Sequence, residues 1–284
     1  MRVATAALAQ AALAQAALAL IAFAPPAAAE APASARLVPH RAVYDLSLFR
    51  SSGSRGLDSA SGRIAFDFGG DACDGYTLKY RQVTVLDSNE TGSKTLDVRT
   101  ATFESADGKT IRFKTDSLME GVSSDNVDGS ADVKDGGLVI RLTGPRRESL
   151  DVPAQPVFPT EHMKRLIESA RAGQTTVAVK LFDGSDNGKK VYDTLALIGH
   201  RIEPGAGANL EPAAKRDELA RLPRWPMTIS YYTAGSGDQT PVYTISFELY
   251  ENGISRALKL DYGDFALKGE LANLDVLPYT ACQR

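Results

Sequence analysis

FPTEHMKRLIESARAGQTTVAVKLFDGSDNGKKVYDT, Phe158 to Thr194, holds the one convincing helix in a chain that otherwise reads as strand after strand. Pro159 and Thr160 supply a stop and an N-cap, and Glu161 places an acid in the first turn, where it complements the helix dipole. Met163, Leu166, Ile167 and Ala170 recur at helical spacing, and Gly173 stands where a C-terminal glycine belongs. The spacing predicts a short amphipathic helix with one apolar stripe laid on a sheet. TTVAVKLF and KKVYDTLALI then flank DGSDNG, which reads as a hairpin with a long turn.

Outward from this centre the period changes from helix to strand. Towards the N-terminus, RAVYDLSLFR alternates Val43, Asp45 and Ser47 with Tyr44, Leu46 and Leu48, a half-buried strand. GRIAFDF, GYTLKYRQVTVLD, KTLDVRTATFES and KTIRFKTDSLM follow it, separated by the turn chemistries GGDACDG, SNETGS and SADG. Asp135-Gly136 marks a further hairpin, and Pro145, Pro153, Pro156 and Pro159 break the run before the helix. Towards the C-terminus, MTISYYTA, PVYTISFELYENG, ISRALKLDYG and FALKGELANLDVL are strands, with Asn252-Gly253 read as a type I′ turn. Glu203 to Pro226 is the one long irregular stretch, with a turn of helix at Ala214 to Leu219, and reads as a mobile surface loop or a domain seam. About twelve to fourteen strands and one helix result, and sheets of that size curl, close or split. The expected fold is mainly β: a single strongly curled antiparallel sheet, barrel-like or spiral, packed on one short amphipathic helix. A β-sandwich is the alternative.

Met1 and Arg2 make a minimal positive start, Val3 to Ala24 form an Ala- and Leu-rich apolar run, and Ala27-Ala28-Ala29 ends in a small-residue cleavage signal. Residues 1–29 read as a signal peptide, 30–36 as a short leader and 37–284 as one β domain. The alternative is an uncleaved anchor, against which Ala dominates the run and Gln10 and Gln15 interrupt it. The expected compartment is the periplasm, without stable membrane insertion after cleavage. A net charge of -3 with acids and bases interspersed argues against a nucleic-acid partner. Two cysteines in an exported chain suggest one disulfide, Cys73 to Cys282, the alternative being two buried thiols.

Catalytic chemistry finds little footing. The three histidines, His40, His162 and His200, form no close pair at metal-ligand spacing, and no G-x-S-x-G elbow is present. Asp183, Ser185 and Asn187 match the first half of a calcium loop, but Thr194 stands where a bidentate Glu belongs. An Asx-rich turn fixing hairpin register is the preferred reading, with no metal or other cofactor expected. Asp71/Asp74 and Asp261/Asp264 bracket glycine-containing turns and read as turn residues rather than a glycosidase pair. Trp225 reads as a packing anchor, with a sugar-stacking platform as the alternative.

LVPHRAVYDLSL at Leu37 to Leu48, ACDGYTL around Cys73, FPTEH at Phe158, LFDGSDNGKKVYDT at Leu181 and the terminal LPYTACQR together resemble the EipB family of periplasmic cell-envelope integrity proteins. The resemblance runs from Leu37 to Cys282 and departs only at turns and in the Glu203 to Pro226 loop. It implies a monomeric β-spiral with a helix and one disulfide, at Cys73 and Cys282, and a role in maintaining the Gram-negative envelope. It carries no catalytic residue over. The expected function is therefore a non-enzymatic envelope factor that binds another envelope protein. The alternative is a carrier or sensor of a lipid or other apolar envelope component in the concave face of the sheet. The two differ in whether Met163, Leu166 and Ile167 fill that face. An enzyme acting on glycan ranks third, and its mark would be an isolated, buried carboxylate in a cleft.

Overall fold

Alternation of apolar and polar residues is the rule along the strands, and the structure turns it into a single curved surface. The structure, a computed structural model, describes residues 34–52, 56–207, 209–235 and 240–279. The expected signal peptide, Cys282 and most of the expected leader lie outside the described residues. Fourteen strands follow in order: β1 His40–Ser51, β2 Ser59–Asp71, β3 Gly75–Ser88, β4 Gly92–Glu104, β5 Thr110–Met119, β6 Val122–Lys134, β7 Gly137–Gly144 and β8 Glu148–Val152 precede the helix α1, Pro159–Arg171. After it come β9 Thr176–Leu181, β10 Tyr192–Ile198, the one-turn helix α2 Asp217–Ala220, β11 Arg224–Thr233, β12 Tyr243–Tyr250, β13 Ser255–Asp261 and β14 Phe265–Val276.

All fourteen belong to one antiparallel sheet in the order β8-β7-β6-β5-β4-β3-β2-β1-β14-β13-β12-β11-β10-β9. Two meanders, one from each half of the chain, are therefore joined where β1 pairs with β14. Side chains alternate across the pleat, so β1 buries His40, Ala42, Tyr44 and Leu46 on the concave face and turns Arg41 and Asp45 outward. The sheet is curled without being closed. Its end strands β8 and β9 do not pair; instead Val157 donates its N–H to Lys180 O at 2.8 Å and accepts from Phe182 N–H at 3.1 Å, a single parallel bridge between the two ends.

The helix lies where its stripe predicts. Leu166 and Ile167 are 0 % exposed in the main core, with Ala170 buried and Met163 half-buried beside them. Burying each of the two large side chains is worth roughly 1.5–3 kcal/mol. Gly173, with φ +73°, continues the chain in the left-handed conformation that ends helices. The N-terminus differs from expectation. Phe158 is the N-cap, Pro159 opens the first turn, and Thr160 lies inside it. The missing cap oxygen comes from outside the helix: both oxygens of Glu104, at the end of β4, accept the Thr160 N–H at 3.1 and 3.0 Å. Because the strands alternate in direction, α1 crosses the strand end that carries Glu104 and the β12–β13 turn, where Arg171 pairs with Glu251 at 2.8 Å.

Three other expectations are corrected. A strand, β8, follows Pro145 where the prolines read as a break; Leu150 and Val152 join the smaller core formed by Ile111, Phe113, Val127, Ile140, Phe158 and Phe182. At Asn252-Gly253 only the glycine has positive φ, +88°, and Gly253 N–H reaches Tyr250 O at 2.9 Å, so the turn is a three-residue loop with a left-handed third position rather than type I′. The Glu203 to Pro226 stretch is a fastened plug rather than a loose loop or seam. Ala214 and Leu219 are buried in the main core, and Arg224 to Pro226 already belong to β11. Glu211 splints the sheet where β13 and β14 part, accepting Ala257 N–H at 3.1 Å and pairing with Arg256, which also holds Glu248.

Candidate functional site

The DGSDNG turn, the sharpest chemical candidate in the sequence, does more than reverse the chain. It reaches from the β9–β10 side of the sheet across the concave face to β5 and β6. Gly184 and Gly188 make this approach possible: with φ of +77° and +67° they lie so close to Phe113 that an added Cβ would sit 2.4 and 2.7 Å from its ring. Asp183 accepts the Ser185 N–H at 2.9 Å, the Asx turn that composition predicts. Asp186 accepts hydrogen bonds from the Tyr192 hydroxyl and, at 3.0 Å, from Lys190 Nζ. Asn187 adopts φ +64°. Of the three calcium-loop positions, Asp183 and Ser185 bond to each other within the turn and Asn187 lies in its left-handed corner.

Packed against this turn is a cleft of about 320 Å³, lined by Asp183, Ser185, Tyr192, Tyr231, Tyr243 and Tyr262. It sits at the strand end opposite α1, where the β9–β10, β11–β12 and β13–β14 connections meet. The rings form a continuous chain: Tyr192 to Tyr231 edge-on at 5.8 Å, Tyr231 to Tyr243 at 5.6 Å, Tyr243 to Tyr262 at 5.1 Å and Tyr262 to Phe265 at 5.0 Å. Such spacings are those of mutually attractive aromatic pairs. Burial pushes the Tyr231 and Tyr243 hydroxyls well above the usual phenol range, so both stay protonated. Burial also raises the Asp183 carboxyl, and the Ser185 hydrogen bonds offset only part of that. For Asp186 the balance reverses: the bonds from Tyr192 and Lys190 outweigh burial and hold it below the usual carboxylate range. Protonated phenols offer hydrogen-bond donors and flat aromatic faces beside the two carboxyls, and a phenol held protonated is a weak nucleophile.

A second, smaller cleft of about 130 Å³ lies beside the N-terminus of α1, lined by His40, Phe66, Phe68, Leu78, Glu104 and Met163. His40 stacks on Phe66 at 5.3 Å. Burial raises Glu104 to about 7, partly offset by Thr160 and Lys164. Glu104 is therefore a buried carboxylate in a cleft, but it is engaged as a helix cap. His162 is also buried; burial drives it down to about 4, and its Nε2 lacks a partner among the described residues. His200 is exposed.

The remaining sequence candidates are dispersed. Cys73 is exposed in the β2–β3 turn, where Asp71 accepts its N–H at 2.7 Å and that of Asp74 at 2.9 Å; Cys282 lies outside the described residues. Asp261 accepts from Arg50 at 3.0 Å and from the Gly263 N–H at 3.1 Å, turn duties again. Trp225 is 3 % exposed in the main core, a packing anchor. The tyrosine cleft itself escapes sequence reading, because its walls come from three separate connections. Its one signal is phase: Tyr231 and Tyr243 face each other across the β11–β12 hairpin.

Comparison with known proteins agrees with this architecture. The family described as EipB-like matches residues 31–278. A curated relative from Brucella abortus (strain 2308), named cell envelope integrity protein EipB, is 39% identical over 251 residues, 88% of each chain. The crystal structure of a beta-barrel-like protein of a domain of unknown function from Brucella abortus superposes with a TM-score of 0.79 at 38% identity, covering 86% of this chain and all of that one.

Proposed function

The chain belongs to the EipB-like family, and from that premise we propose that it supports cell-envelope integrity as a non-catalytic periplasmic protein that binds another envelope protein. The name of the Brucella relative supplies the envelope role. The signal-peptide pattern of residues 1–29 supports export, and among the described residues no helix is long and apolar enough to cross a membrane.

One observation carries the binding reading: the two ends of the curled sheet are unlike. At one end α1 fills the concave face with Leu166 and Ile167 and leaves about 130 Å³, well under the ~300 Å³ at which small-molecule sites begin. That speaks against a lipid held beneath the helix. At the other end the tyrosine cleft is open, with Val242 47 % and Tyr262 38 % exposed at its edge.

The test is a photo-crosslinking amino acid in place of Val242, compared with one in place of Leu197 on the outer face of β10, in cells. We expect a discrete adduct to an envelope protein from position 242 alone. Equal labelling from both positions, or a stoichiometric lipid in native mass spectra of the isolated protein, would overturn the reading.

A further inference from the structure

Resting on that binding reading, we propose that the tyrosine cleft is selective for an alkylammonium side chain, a lysine on an extended segment of the partner protein. Its ammonium would meet Asp183, and its methylene stem would lie along the rings of Tyr231, Tyr243 and Tyr262. Three features of the cleft point to this chemistry.

The first is a carboxyl without a cation. Among the described residues the ion pairs around the turn use Asp186, Asp193 and Glu148, and none involves Asp183, whose carboxyl accepts from Ser185 and faces the charge of Asp186. A carboxylate set into an aromatic wall is short of solvation, and an incoming ammonium restores what burial removed. An anionic ligand would meet Asp183 and Asp186 head-on. The second is the wall itself. Tyrosine faces carry negative quadrupole potential and attract ammonium groups, while their flat apolar surfaces suit a methylene stem. A saccharide would also stack on them, but it needs several donors and acceptors converging on its hydroxyls. Here Asp186 and the Tyr192 hydroxyl are committed to each other.

The third is an internal precedent. Lys190 already places its Nζ 4.8 Å from the centroid of the Tyr192 ring while donating to Asp186. A ring paired with a carboxylate therefore holds a lysine immediately beside the cleft. Tyr231 with Asp183 repeats the pair without a resident cation.

The experiment is an NMR titration of the mature protein, following tyrosine ring signals, with N-acetyl-Ala-Lys-Ala-amide and with the same peptide acetylated on the lysine Nζ. We expect saturable shifts of the Tyr231, Tyr243 and Tyr262 rings, with affinity at least ~10-fold weaker for the acetylated peptide. Asp183→Asn, which keeps an acceptor for Ser185 N–H, should cost a similar factor, and Tyr262→Leu at the exposed edge should weaken binding without disturbing the fold. Equal affinity for the two peptides, absence of saturable shifts, or tighter binding of a chitotetraose probe to the same rings would overturn the proposal. The two readings fail separately: a specific adduct at position 242 with no preference for the free amine removes the lysine and keeps the partner, whereas loss of the adduct removes both.

Discussion

Both oxygens of Glu104 accept the one N–H of Thr160, so a single carboxyl couples β4 to the start of α1 and has been withdrawn from water to do so. Burial sets its folded pKa at about 7 against an ordinary 4.5. Between those values the folded protein keeps a proton that the unfolded chain has released. Stability from this group is therefore fully present below 4.5 and is lost as pH rises through about 7, a change on the order of 3 kcal/mol. Glu104→Gln should flatten that slope: thermal midpoints at pH 5 and pH 8 should differ less in the variant than in the parent, and parallel curves would contradict the assignment. Gly184 is constrained by space rather than charge. A methyl there would strain a φ of +77° and meet the Phe113 ring at 2.4 Å. Gly184→Ala should cost at least ~2 kcal/mol in urea unfolding, and a variant as stable as the parent would mean that the turn does not press on β5.

Helix α1 was the most legible element because a period near 3.6 stands out against strands of period 2. Its stripe predicts burial and the structure buries it, so Ile167→Asp, which sets a charge among the main-core side chains, should leave the protein unfolded or aggregated. Circular dichroism and size-exclusion chromatography will read this, and a soluble, native-like variant would show that the stripe is not needed to hold the sheet. The cap of the same helix was illegible for a physical reason. Local sequence offered Thr160, but the oxygen that serves the N-terminus arrives from Glu104, 56 residues away, and no local pattern records it. The same limit hid β8, whose flanking Pro145 and Pro153 read as breaks, although a five-residue strand fits between them. It also hid the fastening of the Glu203 to Pro226 stretch. Gly and Pro there mimic looseness, while Glu211 makes its bonds to residues 45 and 46 positions away.

At the scale of the molecule, alternation and turn chemistry disclose the antiparallel meander and its approximate strand number, and length alone demands curling. Which elements become neighbours at long range is another matter: the β1–β14 junction emerges only when the two halves of the chain meet, and the tyrosine cleft only when three connections of the second half converge. That junction bears on the cysteines. His40 pairs with Phe68 of β2 on one side and with Val276 of β14 on the other, so the chain leaving β14 and the turn bearing Cys73 share one strand end, a single strand apart. Tyr279, three residues beyond β14, lies close enough to Tyr76 for its charge to raise that phenol further, after burial has done most of the work. A bond between Cys73 and Cys282 would close a loop spanning nearly the whole sheet and tie the second meander to the first, with an upper stabilisation of about 5 kcal/mol from chain entropy. Cys73→Ser should lower the thermal midpoint of oxidised protein to that of the reduced parent, while the far-ultraviolet spectrum stays unchanged. If the parent melts at one temperature with and without reductant, the two meanders hold together without the bond.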